Sequence, residues 1–418
     1  MSSLSEPKKR PMKSWQRIGV ALLAILFINL GCGRKTLPQS GAEGVGMSKD
    51  RLNQASVVIK EAIARKDFPG AVLLVSRKGK VVLREAYGES QWVPQRKPMN
   101  ADMIFDMASL TKPVATATSI MILAEQGKLS IYEKVKDYVP EFTPYVPEKA
   151  DPNEKVKPAE DARLWHLLTH TSGLPGYTPA DEVEKKYGRP CPVDTLVIEI
   201  GQLKKEVPPG EKFTYSCLGY ITLAYIVKKI TGKTIAEFAE QNIFRPLRMR
   251  HTFYNPAPKF LSLCVPTQVY EEKPLIGIVH DPLARLQGGV SGNAGLFSTA
   301  DDLAVFGQML LGKGEFKGVR ILSPLTVERM TTVYPKAAFA GRGLGWDLSS
   351  AYASSAGDIF GPRSFGHTGY TGTSMWVDPE TETIVIFLTN RVHPDDKGEI
   401  VIKRCRVANV VAGAIIKK

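Results

Sequence analysis

A serine and a lysine three residues apart, Ser109 and Lys112, have the spacing in this sequence that best suits nucleophilic chemistry. Pro113 follows at once, and because proline cannot donate to the helical hydrogen-bond ladder, a helix containing it must begin only a few residues upstream. Residues 114–124 are apolar or small on nearly every face, which predicts an enclosed helix. Ser109 is therefore predicted to lie at the N-terminus of a buried helix, where the helix dipole favours developing negative charge.

Lys112 is a candidate acceptor of the serine proton. Residues three apart stand on one helix face, so its side chain can reach the Ser109 hydroxyl. To act as a base near neutrality its pKa would have to fall by roughly 3 units from about 10.4, a shift that burial beside a positive dipole can supply. The tetrad alone is a weak signal, because Ser5 and Lys8 have the same spacing in the N-terminal segment.

Two other patterns suggest different chemistry and are less convincing. His166 and His170 are four residues apart, as in some zinc helices, but Leu167 stands where a zinc protease would need glutamate. A packed helix and turn is the better interpretation. The glycine-rich run at 288–295 lacks the preceding strand of a dinucleotide-binding unit, so it indicates a tight loop. No metal and no cofactor is predicted.

The elements that must position Ser109 fall into an ordered pattern. An amphipathic helix (48–66) precedes a β-hairpin (70–87), and two strand runs (363–377 and 383–388) precede a closing helix (399–416). The fold class predicted is α+β, an antiparallel sheet flanked by helices, in which sequence-distant ends share the sheet. A mostly helical insertion is predicted at about 113–285.

The N-terminus has the layout of an export signal. A basic segment precedes an apolar run at 18–31, which is shorter than the ~20 residues that span a bilayer. Cys32 follows Leu30 and Gly31 as in a bacterial lipoprotein cleavage site, although Asn29 replaces the usual leucine. Residues 1–31 are predicted to be a signal peptide, 32–47 a tether and 48–417 the domain, with Cys32 lipidated at the bacterial membrane. An ordinary cleaved signal and an uncleaved anchor remain alternatives.

Composition limits the possible classes of protein. The 418 residues are 43% hydrophobic and 23% charged, as in a globular protein with a large core. The formal charge of +13 suits an anionic cell envelope, but no basic run is interleaved with aromatic residues, so nucleic-acid binding is not predicted. The five cysteines are widely spaced, which predicts no metal site and no essential disulfide.

Three elements occur in a fixed order: Ser109-x-x-Lys112, Tyr215-Ser-x and His367-Thr-Gly. Together they resemble the serine β-lactamase and DD-peptidase superfamily, most of all class C β-lactamases, DD-carboxypeptidases and related esterases. The resemblance covers about residues 48–417. It is supported by LLTHTSGLP at 167–175, PPGEKFTYS at 208–216, AGLFSTADDLAVF at 294–306 and GHTGYTGTSMWVDP at 366–379.

The resemblance implies a role for each matching residue. Ser109 would be the acylated nucleophile, and Lys112 and Tyr215 would share proton transfer; which of them is the base stays open. The backbone N–H groups of Ser109 and Tyr370 would form the oxyanion hole. Gly369, after His367 and Thr368, would let a substrate approach the strand edge.

Two departures from the superfamily pattern concern the substrate. Cys217 stands where many members have the asparagine of Tyr-x-Asn, and a thiol cannot donate and accept as an amide does. His367 replaces the lysine of Lys-Thr-Gly and is mostly uncharged at pH 7. Both could instead be packing residues, as could Tyr215, and a second nucleophile at Cys217 is a weaker interpretation.

These observations predict an exported serine hydrolase that forms an acyl-enzyme on Ser109 and cleaves a small ester or amide. One alternative is a DD-carboxypeptidase or β-lactamase that acts on peptidoglycan-type peptides or β-lactams. Another is a penicillin-binding or sensor protein without turnover. The oligomeric state is not predicted from the sequence.

Overall fold

The computed structural model describes residues 36–148, 155, 157–350 and 356–417. The predicted signal peptide (1–31) and Cys32 lie outside the described residues. Within those ranges, no helix combines the length and the apolar character that crossing a bilayer requires.

The strands occur at the two ends of the domain and in short pairs between them. In chain order they are β1 Gly70–Arg77, β2 Lys80–Gln91, β3 Lys97–Pro98, β4 Phe105–Asp106, β5 Phe253–Tyr254, β6 Val269–Tyr270, β7 Lys273–Pro274, β8 Leu296–Ser298, β9 Glu315–Phe316, β10 Val319–Arg320, β11 Phe365–Thr368, β12 Ser374–Asp378 and β13 Thr383–Thr389.

Six of these strands form one antiparallel sheet in the order β11-β12-β13-β1-β2-β3. β1 pairs with β13 from Ala71 opposite Thr389 to Arg77 opposite Thr383. N-terminal and C-terminal strands therefore share one sheet, which confirms the α+β prediction. The β1–β2 hairpin turns through Lys78 and Gly79, both at positive φ.

Both faces of β1 are buried because helices cover each side of the sheet. Val72 and Leu74 belong to one core, whereas Leu73 and Val75 belong to the other, as the two-residue period of a strand requires. The second core is closed by the helices Lys49–Ala64 and Val401–Gly413. The larger core contains the helix Ala300–Leu311, whose N-cap Thr299 accepts a hydrogen bond from the Asp302 amide.

The segment between β4 and β8 is mostly helical, close to the predicted insertion, and also contains the short β5, β6 and β7. The helices of this part are Thr118–Glu125, Val135–Tyr138, Leu164–Leu168, Ala180–Tyr187, Val193–Gln202, Cys217–Thr231, Ile235–Ala239, Arg245–Leu247 and Pro282–Leu286, and the helix Pro324–Met330 follows later.

The described part of the predicted tether is packed on the domain. Leu37, Val45 and Met47 are buried, and the amide of Ser40 donates to the carbonyl of Val81 at 2.9 Å. A flexible tether would leave these apolar side chains in water, so burying them extends the ordered domain upstream of residue 48.

Candidate active site

A cleft of about 870 Å³ lies where the end of β11 meets the helical region. The predicted site residues that line it are Ser109, Tyr215, Cys217, Thr368, Gly369 and Tyr370. Lys112 is fully buried directly beneath Ser109. Residues more than 250 positions apart in the sequence are thus brought to one surface, although their roles remain predictions.

The backbone that carries Ser109 is unusual. Ser109 lies in a 3₁₀ turn, Ala108–Leu110, followed by a π-helical segment, Lys112–Ala117, and the α-helix Thr118–Glu125. Ala108 has a φ of 44°, which is rare for a residue with a Cβ. The buried carboxylate of Asp106 holds this conformation by accepting from the Ala108 amide at 2.8 Å. Strain of this kind persists where surrounding contacts fix it, here immediately before Ser109.

Lys112 is held by three contacts. Its Nζ lies 2.9 Å from Ser109 Oγ, 3.0 Å from the carbonyl oxygen of Asn293 and 3.5 Å from Cys217 Sγ. The ring centroid of Tyr215 is 5.0 Å from the same nitrogen. The predicted contact between the lysine and the serine is therefore present in the structure.

The pKa of Lys112 is set by opposing influences. Burial is the largest and lowers the pKa, whereas the acidic side chains of Cys217 and Tyr215 raise it when they are ionised, and the balance lies above the ordinary lysine value. This direction is opposite to the fall that Lys112 would need to act as a neutral base near pH 7. A raised pKa keeps the side chain of Lys112 protonated.

Tyr215 is positioned by a loop that contains His170. The imidazole of His170 stacks on the phenol ring at a centroid distance of 4.3 Å. Its Nδ1 accepts from the amide of Ser216 at 3.0 Å, and its carbonyl accepts from the amide of Thr214 at 3.0 Å. His170 thus holds the chain on both sides of Tyr215.

Cys217 begins the helix Cys217–Thr231, and its amide donates to the carbonyl of Gly176 at 2.9 Å. Burial raises the pKa of its thiol, and the nearby Lys112 opposes this only in part. The thiol is consequently uncharged at pH 7 and offers Lys112 a weak acceptor where an amide would offer a carbonyl oxygen.

The end of β11 is tied to the segment before Ser109. A Cβ on Gly369 would lie 2.5 Å from the carbonyl oxygen of Met107, so this close approach requires glycine. The hydroxyl of Thr373 donates to that same carbonyl at 3.1 Å. These contacts place the backbone of Tyr370 at the cleft beside Ser109.

His367 is buried and is not among the described residues that line the cleft. Its Nδ1 donates to the carbonyl of Thr368 at 2.8 Å. Burial, followed by the charge of Arg342, lowers the pKa of His367 well below its ordinary value. The imidazole is therefore neutral at pH 7, and its ring centroid lies 6.1 Å from that of Tyr215.

Two positioning residues were missed by sequence reasoning. His170 was assigned to a packed helix and turn, but its contacts with the segment that carries Tyr215 were not predicted. Asp106 was not considered, although a carboxylate inside an apolar run is a recognisable sign of a buried hydrogen-bond acceptor.

The histidine pair His166 and His170 does not form part of a larger metal-binding cluster. Nδ1 of His166 accepts from the amide of Arg163 at 2.8 Å, and no group of three candidate metal-binding side chains occurs in the described ranges.

Solved structures of similar fold include a hydrolase and a penicillin-binding protein homologue. EstCE1, described as a hydrolase with promiscuous acyltransferase activity, superposes with a TM-score of 0.68 at 22% identity over 87% of this chain and 99% of that chain. An octameric penicillin-binding protein homologue from Pyrococcus abyssi has a TM-score of 0.65 at 23% identity, over 88% of this chain and 78% of that chain. At this identity the likeness establishes the fold.

Curated relatives are similar over most of their length. The chain is 34% identical to an N-acetylmuramyl-L-alanine amidase of Bacillus subtilis (strain 168), covering 88% of this chain and 90% of the relative. It is 29% identical to a putative D-alanyl-D-alanine carboxypeptidase of Escherichia coli (strain K12), covering 90% of each. A Beta-lactamase family model matches residues 56–405. With the matching fold and the ordered motifs, this establishes that the chain belongs to the Beta-lactamase family.

Proposed function

We propose that this protein is a serine hydrolase that forms an acyl-enzyme on Ser109 and cleaves a small ester or amide. The observation that carries the proposal is the 2.9 Å contact between Lys112 Nζ and Ser109 Oγ at the cleft. A hydroxyl held this closely by a buried amine is oriented and can be activated for attack.

The first half of the reaction forms the acyl-enzyme. Ser109 Oγ attacks the substrate carbonyl carbon, and the hydroxyl proton passes to the pair formed by Lys112 and Tyr215. If Lys112 is an ammonium, Tyr215 as phenolate accepts the proton; if Lys112 is neutral, it accepts the proton itself. The backbone N–H groups of Ser109 and Tyr370 stabilise the tetrahedral oxyanion, and its collapse releases the alcohol or amine with the proton returned.

The second half regenerates the serine. Water attacks the ester carbonyl of the acyl-enzyme and gives its proton to the same pair. Collapse of this second intermediate breaks the bond to Ser109 Oγ, which recovers a proton as the carboxylic acid leaves. No cofactor takes part in either half.

The substrate preference follows from Cys217 and His367. The thiol cannot supply the bifunctional amide that would grip an acylamino side chain, and the neutral imidazole supplies no charge for a substrate carboxylate. Both features favour small esters and simple amides over β-lactams.

A second candidate is the hydrolysis of a peptidoglycan-type amide. It is favoured by the names of the similar proteins, an amidase and putative carboxypeptidases. Either activity would be carried out at the bacterial cell envelope, with the chain exported and anchored through Cys32, a proposal that rests on the sequence of residues 1–32.

The test is hydrolysis of p-nitrophenyl butyrate by the purified chain beside its Ser109→Ala variant. We expect the variant to lose at least about 10³-fold in kcat/KM while its melting temperature stays unchanged. Equal activity in the two proteins would refute Ser109 as the nucleophile.

The same proteins distinguish the substrates. A diacyl-Lys-D-Ala-D-Ala peptide and a chromogenic β-lactam are assayed for turnover, and intact mass reports covalent acylation. Peptide turnover exceeding ester turnover would favour the second candidate. Stoichiometric acylation by the β-lactam with no turnover of any substrate would indicate a receptor and contradict both hydrolase proposals.

A further inference from the structure

Arg342 is a buried cation behind the cleft that the reaction described above does not use. Its side chain is fully buried, and its charged partner is Asp347, at 3.3 Å between Nη1 and Oδ2. Across the part of the chain that the structure describes, none of its three guanidinium nitrogens has a hydrogen-bond partner. Burying a guanidinium without hydrogen bonds costs free energy, so something other than stability accounts for its position.

The guanidinium faces Tyr215. Its Cζ lies 5.8 Å from the centroid of the Tyr215 ring and 6.0 Å from that of Phe213. A cation at this distance in a desolvated site favours the ionised form of an acidic group.

The other titratable groups in the neighbourhood of Tyr215 include side chains from five elements. Lys112 lies on the π-helical segment, His170 on the loop after Leu164–Leu168, and His367 on β11. Two more, Cys217 and Tyr220, lie on the helix Cys217–Thr231 close to Lys112. Asp281, the N-cap of the helix Pro282–Leu286, lines the same cleft, and its carboxylate raises the pKa of Lys112 and of Cys217.

Of these neighbours, only Lys112 can present a positive charge at pH 7. Burial, followed by Arg342, lowers the pKa of both His170 and His367 far below neutrality. Burial raises the pKa of the Cys217 thiol and of the Tyr220 phenol, so both are uncharged.

We propose that Arg342 is a positioning residue for proton transfer, whose buried charge stabilises the phenolate of Tyr215 in place of the charge that His367 lacks. The inference rests on the proposed function and deepens it. It makes Tyr215, held between Lys112 and Arg342, the group that accepts the serine proton while Lys112 remains an ammonium. The proton balance is unchanged, since the pair still takes one proton and returns it.

The first experiment is independent of any substrate. Ultraviolet difference titration of the wild-type chain against its Tyr215→Phe variant isolates the phenolate signal of Tyr215. The same titration is then carried out on two proteins that both carry Arg342→Gln and Asp347→Asn, one with Tyr215 and one with Tyr215→Phe. This double substitution removes the guanidinium charge together with the carboxylate of Asp347, so no unpaired carboxylate is left. We expect the apparent pKa of Tyr215 to rise by roughly 1 to 2 units.

The second readout is the pH profile of kcat/KM with p-nitrophenyl butyrate. The acidic limb should move to higher pH by the same amount in the double variant, so that activity well below the limb falls roughly ten- to a hundredfold. Arg342→Lys keeps the charge and should keep the limb near its wild-type position. A merely structural role would change activity at all pH values without moving the limb.

Two results would overturn the inference. One is a folded double variant whose Tyr215 titration matches wild type. The other is an Arg342→Lys variant, which keeps the charge, whose Tyr215 pKa nevertheless rises by roughly the 1 to 2 units expected for loss of the charge. This second result decides the matter even if the double variant does not fold. Failure of the wild-type chain to hydrolyse any ester or amide would refute the proposed function, while the phenolate titration would still test the effect of Arg342.

Discussion

The floor of the cleft contains Ser109 and Tyr215, which are partly buried, over the fully buried Lys112, whereas the rim formed by Tyr370, Arg391 and Asp396 includes an exposed side chain. Lys112 is 0% exposed, and the side chain of Tyr370 is 57% exposed. The rim also has its own contacts, in which the Tyr370 hydroxyl donates to Asp396 Oδ2 at 2.7 Å and Arg391 pairs with Asp396 at 3.0 Å.

This difference sets how much each contact is worth. On the floor, water cannot replace a lost partner, so removing one group leaves another unsatisfied and the effect is large. On the rim, water competes with the contacts of the exposed Tyr370 side chain, so its hydroxyl contributes little. Substitutions on the floor should therefore change activity more than substitutions on the rim.

The largest effect is expected for Lys112→Met. The change removes the amine that contacts Ser109 Oγ, so kcat/KM should fall by about 10³-fold or more. The melting temperature should fall modestly, because the change leaves the Asn293 carbonyl without the hydrogen bond that the buried ammonium donates. Ester hydrolysis and thermal denaturation measure the two responses.

Lys205→Met is the matched control. Lys205 is also buried, but it is not among the described residues of the cleft, and its Nζ donates to the carbonyls of Gly201 and Leu203 at 2.8 Å each. We expect a loss of about 1–3 kcal/mol in unfolding free energy with kcat/KM nearly unchanged. If the kcat/KM of Lys112→Met stays within tenfold of the wild-type value, ester hydrolysis does not depend on the amine of Lys112.

An intermediate effect is expected at Asp106, beneath the floor. Its carboxylate accepts from the amides of Ala108 and His280, at 2.8 and 2.7 Å. Burial raises its pKa to about 6, and these two amides oppose the shift. Because the folded pKa lies above the unfolded value, the associated stability is full below about pH 4 and is lost as the pH rises through about 6.

The variant Asp106→Asn separates stability from activity. Relative to the variant, the wild type should lose roughly 3 kcal/mol of unfolding free energy as the pH rises from 4 to 7. Activity should respond oppositely, since an amide offers one acceptor for two N–H donors, and kcat at pH 7 should fall about tenfold or more. A wild-type stability curve parallel to that of the variant would contradict the raised pKa.

The sequence was sufficient to predict the sheet because the relevant signals are local. The apolar, β-branched-rich runs of β1 and β13 and the turn at Lys78 and Gly79 are readable without tertiary contacts. The ordered motifs likewise indicated that Ser109, Tyr215 and the end of β11 would meet, and the structure places them at one cleft.

What could not be predicted depends on contacts across the chain. The π-helical turn after Ser109, the packing of residues 37–47 and the influence of Arg342 arise from neighbours far away in sequence. His170 illustrates the reason: its imidazole supports Ser216, 46 residues later, and nothing local in the sequence specifies that partner. The raised pKa of Lys112 has the same origin, since Cys217 and Tyr215 lie about a hundred residues further along the chain.

The smallest effect is expected for Tyr370→Phe on the rim. The change removes the hydroxyl contact with Asp396 and leaves the backbone N–H that would face the oxyanion. The carbonyl of Tyr370 still accepts from Arg391 Nε at 2.7 Å, and the ring still stacks on His280 at 5.6 Å, so the backbone keeps its place. We expect kcat/KM to change by less than about fivefold, the range of a single exposed contact. Tyr370→Ala, which also removes the stacked ring, should be more severe because it frees the backbone. A loss above about thirtyfold in the phenylalanine variant would mean that the hydroxyl itself contacts the reacting substrate, and the rim would then belong with the floor.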